Sequence, residues 1–183
     1  MHTVATDIPG AFLLHSTRLG DARGSFARLF CSSDLAGPLG HRHIAQINHS
    51  FSAERGTLRG MHYQLPPAAE MKIVRCMAGR IWDVILDLRT QSPTFLQWRA
   101  FELDAQRDEA LLIPEGCAHG FQTLSDDVQL LYLHTAPYNR ELERGIRFDD
   151  PRIAIEWPLA PGNISPRDLL HPLLTSDFPG IEP

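Results

Sequence analysis

The stretch MKIVRCMAGRIWDVILDLR, residues 71–89, carries two runs rich in β-branched and aliphatic residues, separated by Ala78–Gly79. The runs Met71–Met77 and Ile81–Leu88 have the length and composition that are typical of β-strands. A short turn with a glycine between two such runs predicts a tight β-hairpin. The stretch therefore indicates a fold built from consecutive short strands.

Similar runs separated by turn residues occupy most of the chain, with turn chemistry at Asp21–Gly24 and Ser125–Asp127. Helical periodicity appears at Ser165–Leu174, where SPRD supplies a capping serine and a proline at the first helical position. This pattern predicts an all-β jelly-roll barrel or two-sheet sandwich with a short C-terminal helix, in a single domain of residues 1–183. The other predicted strands are Ala11–His15, Ser25–Phe30, Ile44–Phe51, Thr57–Gln64, Leu96–Leu103, Ala110–Ile113, Gly120–Leu124, Gln129–His134 and Ile146–Phe148.

Charge and cysteine content exclude several classes of protein. The net charge is −5 and no basic run is present, which argues against a nucleic-acid or anionic membrane partner. Three widely spaced cysteines fit a reducing compartment better than a disulfide framework. The N-terminal residues carry no secretion signal, and no run is long enough to span a bilayer. We therefore expect a cytoplasmic protein.

One basic residue differs from all the others. Of the 17 lysines and arginines, 16 are arginine, and Lys72 is the only lysine. Arginine cannot shed its proton or act as a compact point charge, whereas lysine can. Alternation in its strand places Lys72 on the same face as Val74 and Cys76, where an unpaired polar group would be costly. On this evidence alone, a functional role for Lys72 and the retention of one lysine by chance are equal alternatives.

Alternation also predicts a polar surface on the sheet. Gln46, Asn48 and Ser50 share one face of their strand. In the next strand His62 and Gln64 share one face and Arg59 lies on the other, but Gly60 is suited to a bulge that would bring Arg59 to the same side. Taken singly, these residues have ordinary structural explanations. His62 could be a hydrogen-bonded core histidine, and Asp168 could cap the helix. Tyr132 could be a packed aromatic residue beside Leu130 and His134.

The segments HYQ (62–64) and PEGCAH (114–119), with Glu70 and Gly79, resemble the two motifs of the cupin superfamily. Metal-binding cupins use a His-x-His pair, a glutamate and a later histidine. Here Gln64 replaces the second histidine, which leaves His62, Glu70 and His119 as an incomplete set that still suits a divalent metal. The HRH at 41–43 has no predicted carboxylate nearby and is interpreted as solvated surface.

Ten segments in order resemble the dTDP-4-dehydrorhamnose 3,5-epimerase family, the metal-free cupins called RmlC. The resemblance implies a cupin-type jelly roll, no cofactor, no metal, and a homodimer. It also implies a nucleoside-diphosphate 4-keto-6-deoxy sugar as substrate, inverted at the carbons beside the ketone. The segments are DARGSF (21–26), QINHS (46–50), GTLRGMHYQ (56–64), MKIVRCMAGRIWDVILDLR (71–89), SPTFLQW (92–98), IPEGCAHGFQTLSDD (113–127), LLYLHTAPYN (130–139), ERGIRFDDP (143–151), EWPL (156–159) and ISPRD (164–168).

The same resemblance implies four catalytic roles. His62 matches the base, whose reference pKa of about 6.5 suits proton abstraction at neutral pH. Asp168 matches the carboxylate that orients His62. Lys72 matches the cation beside the ketone oxygen, and Tyr132 matches the acid that protonates carbon from the opposite side.

Substrate-binding positions carry over in the same way. Arg28 stands where the family has a glutamate that contacts substrate, which leaves another nucleotide or a modified sugar open. Arg167 stands where relatives often have lysine. Inversion at a single carbon, a metal-dependent cupin oxygenase and a non-catalytic sugar-nucleotide binder remain the alternatives. The matching positions are Arg23, Phe26, Arg28, Gln46, Asn48, Arg59, His119, Tyr138, Glu143 and Arg167.

Overall fold

The computed structural model describes all 183 residues as thirteen strands and two short helices. The strands are β1 (His2–Ala5), β2 (Phe12–His15), β3 (Arg18–Asp21), β4 (Gly24–Ala27), β5 (Gln46–Ser52), β6 (Leu58–Gln64), β7 (Lys72–Ala78), β8 (Arg80–Asp87), β9 (Trp98–Asp104), β10 (Glu109–Ile113), β11 (Cys117–Thr123), β12 (Val128–His134) and β13 (Glu143–Gly145). The helices are α1 (Ala36–Leu39) and α2 (Pro166–Leu169).

Two antiparallel sheets form a sandwich. The first has the order β1-β2-β10-β7-β12-β5 and the second the order β13-β6-β11-β8-β9. Strands β3 and β4 form a separate two-stranded hairpin. The predicted all-β sandwich is therefore confirmed, with sequence neighbours divided between two facing sheets as in a jelly roll.

The predicted hairpin at Ala78–Gly79 is wrong. Strand β7 pairs with β10 and β12, whereas β8 pairs with β9 and β11 in the other sheet. The chain crosses between the sheets at Gly79, which has φ +76°. A Cβ at Gly79 would lie 2.5 Å from Ser125 Oγ. The glycine therefore permits a tight connection between the two sheets. Strands β7 and β8 are both buried and have a neighbouring strand on each side, so they lie in different sheets instead of pairing with each other.

Apolar side chains fill the space between the sheets, with Val74 and Leu130 from one sheet and Ile85 and Phe121 from the other. Two further apolar clusters cover the outer faces of the sandwich. Burying one such aliphatic side chain stabilises the fold by about 1.5–3 kcal/mol. Along β7 and β12 the inward positions then change to Lys72, Tyr132 and His134, so the core gives way to a polar cavity.

Most predicted strands are present with ends shifted by a few residues, but the extremes of the chain differ. Strands β1 and β3 and helix α1 were not predicted. The predicted helix Ser165–Leu174 ends at Leu169, because Pro172 disfavours helical backbone before it. The predicted strand Ile146–Phe148 is wrong: β13 ends at Gly145, although Ile146 exchanges two backbone hydrogen bonds with Met61. No helix is long and apolar enough to cross a membrane.

Candidate active site

A cavity of about 340 Å³ opens between the two sheets and is lined mainly by polar and aromatic side chains. Residues of the first sheet form one wall and residues of the second sheet form the facing wall. The lining residues are Asn48, Ser50, Arg59, His62, Tyr63, Gln64, Glu70, Lys72, His119, Phe121, Tyr132, His134, Tyr138, Glu143 and Arg167.

His62 and Asp168 form a hydrogen-bonded pair at this cavity. Nε2 of His62, on β6, lies 2.8 Å from Oδ1 of Asp168. The Ser165 hydroxyl caps α2 by accepting a hydrogen bond from the Asp168 backbone N–H, which fixes the carboxylate's position. Burial alone would raise the pKa of Asp168, but the hydrogen bond and charge of His62 outweigh it and hold the pKa below its ordinary value. Asp168 is therefore anionic and accepts a hydrogen bond from His62 Nε2, an arrangement that in a neutral imidazole leaves the lone pair on Nδ1.

A third titratable group lies against this pair. His171 Nε2 is 3.5 Å from the same Asp168 oxygen, and the ring meets the His62 ring edge-on at a centroid distance of 5.4 Å. Burial and the neighbouring His62 lower the pKa of His171. His171 follows the end of α2 and lies outside the strand alternation that predicted the site residues, so no sequence pattern indicated it.

The bulge predicted at Gly60 is present. His119 pairs with His62 and Phe121 with Arg59, so two residues of β6 oppose Gly120 alone. Arg59 and His62 consequently both face the cavity, although residues three apart in a regular strand point to opposite sides. Arg59 donates only to neutral acceptors, Ser52 Oγ and Phe51 O. Its charge has no carboxylate partner.

Lys72 is 7% exposed and points into the cavity from the wall opposite His62. Its Nζ lies 3.3 Å from Glu70 Oε1, and Glu70 Oε2 lies 2.8 Å from His134 Nδ1. Burial would raise the pKa of Glu70, but His134 and Lys72 together hold it below its ordinary value. Glu70 thus holds both Lys72 and His134 in position on this wall. The pairing of His134 with Glu70 was not foreseen, although strand alternation already placed His134 beside Tyr132.

Tyr132 stands on β12, on the same wall as Lys72 and facing the wall that carries His62. Burial, reinforced by the charge of Asp83, raises the pKa of Tyr132 above its ordinary value. The phenol therefore stays protonated at neutral pH. His119 stands edge-on to Tyr132 at 6.1 Å between ring centroids, and its Nε2 binds Asp83 Oδ1 at 2.7 Å.

The rim of the cavity carries a linked set of polar residues. Glu143 accepts a hydrogen bond from the Tyr138 hydroxyl at 2.7 Å and pairs with Arg167 at 2.5 Å. Gln46 does not line the cavity itself, but its side chain binds Asn48 and the Tyr138 backbone N–H. Tyr138 is 52% exposed.

Three predicted substrate contacts lie away from this cavity. Arg23 and Phe26 belong to the β3–β4 hairpin, where Phe26 is 72% exposed and Arg23 pairs with Asp21. Arg28 lies 3.4 Å from Asp34. The chain beside this hairpin crosses the outer face of the first sheet, where Arg75 donates to Ser16 Oγ and Leu29 O. The chain's own hairpin therefore does not contribute to its own cavity.

The alternative metal ligands do not form one set. His62, Glu70 and His119 all line the cavity, but each is bound to a different protein partner. The one group of three potential ligands within mutual reach is His62, Asp168 and His171. In the HRH segment, His41 and His43 are exposed as predicted, but Arg42 forms a bidentate pair with Glu115 that the sequence analysis missed.

Comparison with known proteins places this geometry in a family. The family model described as dTDP-4-dehydrorhamnose 3,5-epimerase matches residues 5–176. The chain belongs to this family. The dTDP-4-dehydrorhamnose 3,5-epimerase of Shigella flexneri is 40% identical over 170 residues, covering 92% of this chain and 93% of the relative. The family resemblance found in the sequence is therefore confirmed. The members of this family are isomerases.

Solved structures of the dTDP-4-dehydrorhamnose 3,5-epimerase family share the fold. The Legionella pneumophila 3,5-epimerase in complex with dTDP-4-keto-L-rhamnose is 33% identical, covers 100% of this chain and 98% of its own, and has a TM-score of 0.91. A 3'-monoepimerase from Streptomyces bikiniensis in complex with dTDP-quinovose is 34% identical, covers 94% and 87%, and has a TM-score of 0.86. The cupin-type jelly roll therefore holds double and single epimerases alike.

Proposed function

We propose that this protein epimerises a dTDP-4-keto-6-deoxy sugar at C3 and C5, without a cofactor. The observation that carries the proposal is the arrangement of His62 and Tyr132 on facing walls of one cavity, with Lys72 beside Tyr132. Epimerisation needs a base on one face of the carbon, an acid on the other, and a positive group at the oxygen between them. This cavity supplies all three.

Proton abstraction is assigned to His62. The C4 ketone acidifies the C–H bonds at C3 and C5, because the negative charge formed on carbon delocalises to the oxygen. Asp168 accepts a hydrogen bond from the Nε2–H group of His62, so Nδ1 holds the lone pair that takes the substrate proton. The anionic carboxylate then stabilises the imidazolium that forms.

Lys72 stabilises the enolate, and Tyr132 completes the inversion. A fixed ammonium in a buried site favours the oxyanion more than water does and requires no reorganisation during the reaction. Glu70 holds Lys72 in place at 3.3 Å. Tyr132 donates its hydroxyl proton to carbon from the face opposite His62, and the elevated pKa of Tyr132 keeps that proton available.

The remaining cavity residues suit a nucleoside diphosphate. Arg59 lacks a carboxylate partner and is free to bind phosphate oxygens, with His119 beside it on the second sheet. Asn48, supported by Gln46, presents polar atoms to the sugar. Tyr138 offers an exposed ring for stacking on the base, between Glu143 and Arg167 at the rim.

We further propose that the protein is a homodimer in the cytoplasm, in which one protomer's β3–β4 hairpin completes its partner's site. Large apolar side chains are exposed on the outer face of the first sheet and on the hairpin, including Ile47, Phe51, Met77 and Phe26. Such a group of exposed apolar residues is typical of a protein interface. The interface would bring Arg23, Phe26 and Arg28 to the partner's substrate. Three unpaired cysteines fit the reducing compartment.

Inversion at one carbon is the second candidate. The 3'-monoepimerase of Streptomyces bikiniensis resembles this chain to nearly the same degree as the 3,5-epimerases do. The same base, cation and acid serve either outcome, and the second inversion depends on whether the sugar ring can reposition within the cavity.

The test is incubation with dTDP-4-keto-6-deoxyglucose in D2O, followed by NMR at C3 and C5. Deuterium at both carbons with inversion supports the 3,5-epimerase, and deuterium at C3 alone or at C5 alone supports the second candidate. His62→Ala should abolish exchange while its circular dichroism stays native. Full exchange in that variant would exclude His62 as the base, and no exchange in the native protein would exclude this substrate.

A further inference from the structure

Three side chains that commonly bind metals converge behind the cavity. His62, Asp168 and His171 each place one potential ligand atom within 4.8 Å of the other two. Asp168 Oδ1 is 2.8 Å from His62 Nε2 and 3.5 Å from His171 Nε2. Ligand atoms around a tetrahedral zinc ion, at bonds of about 2.0–2.1 Å, stand about 3.4 Å apart. Small side-chain shifts therefore suffice to place these three atoms around one ion.

His171 has the features of a metal ligand whose donor nitrogen is not used elsewhere in the protein. Its Nε2 is buried and has no hydrogen-bond partner. Its ring occupies the space above Gly145, where any Cβ would overlap the imidazole, so the glycine allows the ring to lie beside Asp168. A buried nitrogen acceptor or donor without a partner is costly, which makes this atom available to a metal ion.

An ion can reach the three ligand atoms from the solvent. His62 lines the substrate cavity, and His62 and Asp168 also line a second cleft formed with Ile164 and Pro166. A water molecule from either space can supply the fourth ligand. Two cations line both spaces: Glu143 pairs with Arg167 at 2.5 Å, which reduces its repulsion of a divalent ion, and Arg59 is held by Ser52 Oγ and Phe51 O.

We propose that His62, Asp168 and His171 form a Zn²⁺ site and that zinc bound there inhibits epimerisation. Two imidazoles, one carboxylate and one water are a donor set that zinc adopts in proteins. The inhibition rests on the proposed function, in which Nδ1 of His62 is the base. Zinc takes the lone pair at Nε2, so the ring's one proton moves to Nδ1. Nδ1 can then no longer accept a proton from carbon.

Direct binding tests the site without reference to activity. Zinc is titrated into the protein in competition with a chromogenic chelator, using the native chain, His171→Phe and His171→Asn. The native chain should bind one zinc ion. Both variants should bind at least about tenfold more weakly, since loss of even an outer partner of a metal ligand costs that much. A His41→Asn/His43→Asn double variant controls for the exposed histidine pair and should match the native chain.

Inhibition is measured separately, as the rate of deuterium uptake against zinc concentration. In His171→Phe and His171→Asn added zinc should no longer lower the rate, each variant being compared with its own zinc-free rate, and a chelator should restore the rate of the zinc-treated native protein. Equal zinc affinity in the native chain and both His171 variants would overturn the site. Loss of binding in the His41/His43 variant would do the same. If the protein exchanges no sugar proton at all, the proposed function fails while the binding result still decides the zinc site.

Discussion

Tyr132 and His62 lie on facing walls of the cavity, and the proposed inversion depends on this arrangement. Burial and Asp83 keep the Tyr132 hydroxyl protonated, whereas the Asp168 carboxylate lies 2.8 Å from Nε2 of His62 and orients the imidazole. In the proposed mechanism the phenol donates a proton to carbon and the imidazole accepts one from it. Because the two side chains lie on facing walls, this mechanism places abstraction and return of the proton on opposite sides of the carbon.

Replacing Tyr132 with phenylalanine should separate proton exchange from inversion. His62 still removes the proton and returns a deuteron to the same face, so deuterium enters without a change of configuration. Loss of a positioned acid should lower the rate of inversion about 10²–10⁴-fold. NMR in D2O measures both quantities in one experiment. If exchange and inversion were lost equally, Tyr132 would also be needed for proton abstraction, which would contradict its assignment to reprotonation alone.

The loop after β8 depends on a single buried carboxylate. Asp87 accepts hydrogen bonds from the Arg89 guanidinium and from the hydroxyls of Ser92 and Thr94. Burial would raise the pKa of Asp87, but these bonds together lower it. Since the folded-state pKa is below the unfolded one, the stabilisation is complete above the unfolded value. It is lost as the pH falls below about 4 and through the folded value.

Asp87→Asn should therefore lower the free energy of unfolding at pH 7 by about 3 kcal/mol, because Arg89 loses its buried partner. The difference between variant and native protein should shrink as the pH falls from 4 to 3. Urea unfolding at the two pH values measures it. Asp21→Asn removes an exposed pair and is the control that should leave the unfolding midpoint unchanged. A difference that does not depend on pH would contradict this account.

The bulge in β6 requires glycine at two facing positions. Gly60 has φ +128°, and a Cβ there would lie 2.5 Å from the Gly120 Cα. Gly60→Ala should destabilise the protein by about 3 kcal/mol through overpacking and backbone strain. It should also reduce substrate binding, because Arg59 and His62 lose their common side. Gly37→Ala, where a Cβ meets nothing within 4 Å, is the matched control for urea unfolding.

Alternation and turn chemistry were sufficient to predict the central strands, and Gly60 even indicated the bulge, because these features depend on neighbours along the chain. The crossing at Gly79 was misjudged, since a glycine turn between two strands suits a hairpin and a sheet-to-sheet connection equally. The pairing of strands depends on the whole sandwich. His171 shows the same limit in the site, because its contact with Asp168 arises from how the C-terminal segment folds back.

The placement of the β3–β4 hairpin makes a dimer part of the proposed chemistry. Phe26 and Arg23 are exposed and lie off the chain's own cavity, so they can serve a substrate only in another copy. A closed twofold pairing lets each protomer give a hairpin and receive one. A monomer in sedimentation velocity would contradict this arrangement at once.

Mixed dimers test whether the hairpin acts on the partner's site. One chain carries His62→Ala, the other Arg23→Ala/Phe26→Ala, and each alone should exchange little deuterium. In a dimer purified through two different tags, the site with intact His62 receives the intact hairpin, while the other site lacks both. Since each such dimer holds one complete site of two, activity should return to about half that of the native protein. If the hairpin instead served its own chain, neither site would be complete, and verified mixed dimers would stay as inactive as the parents.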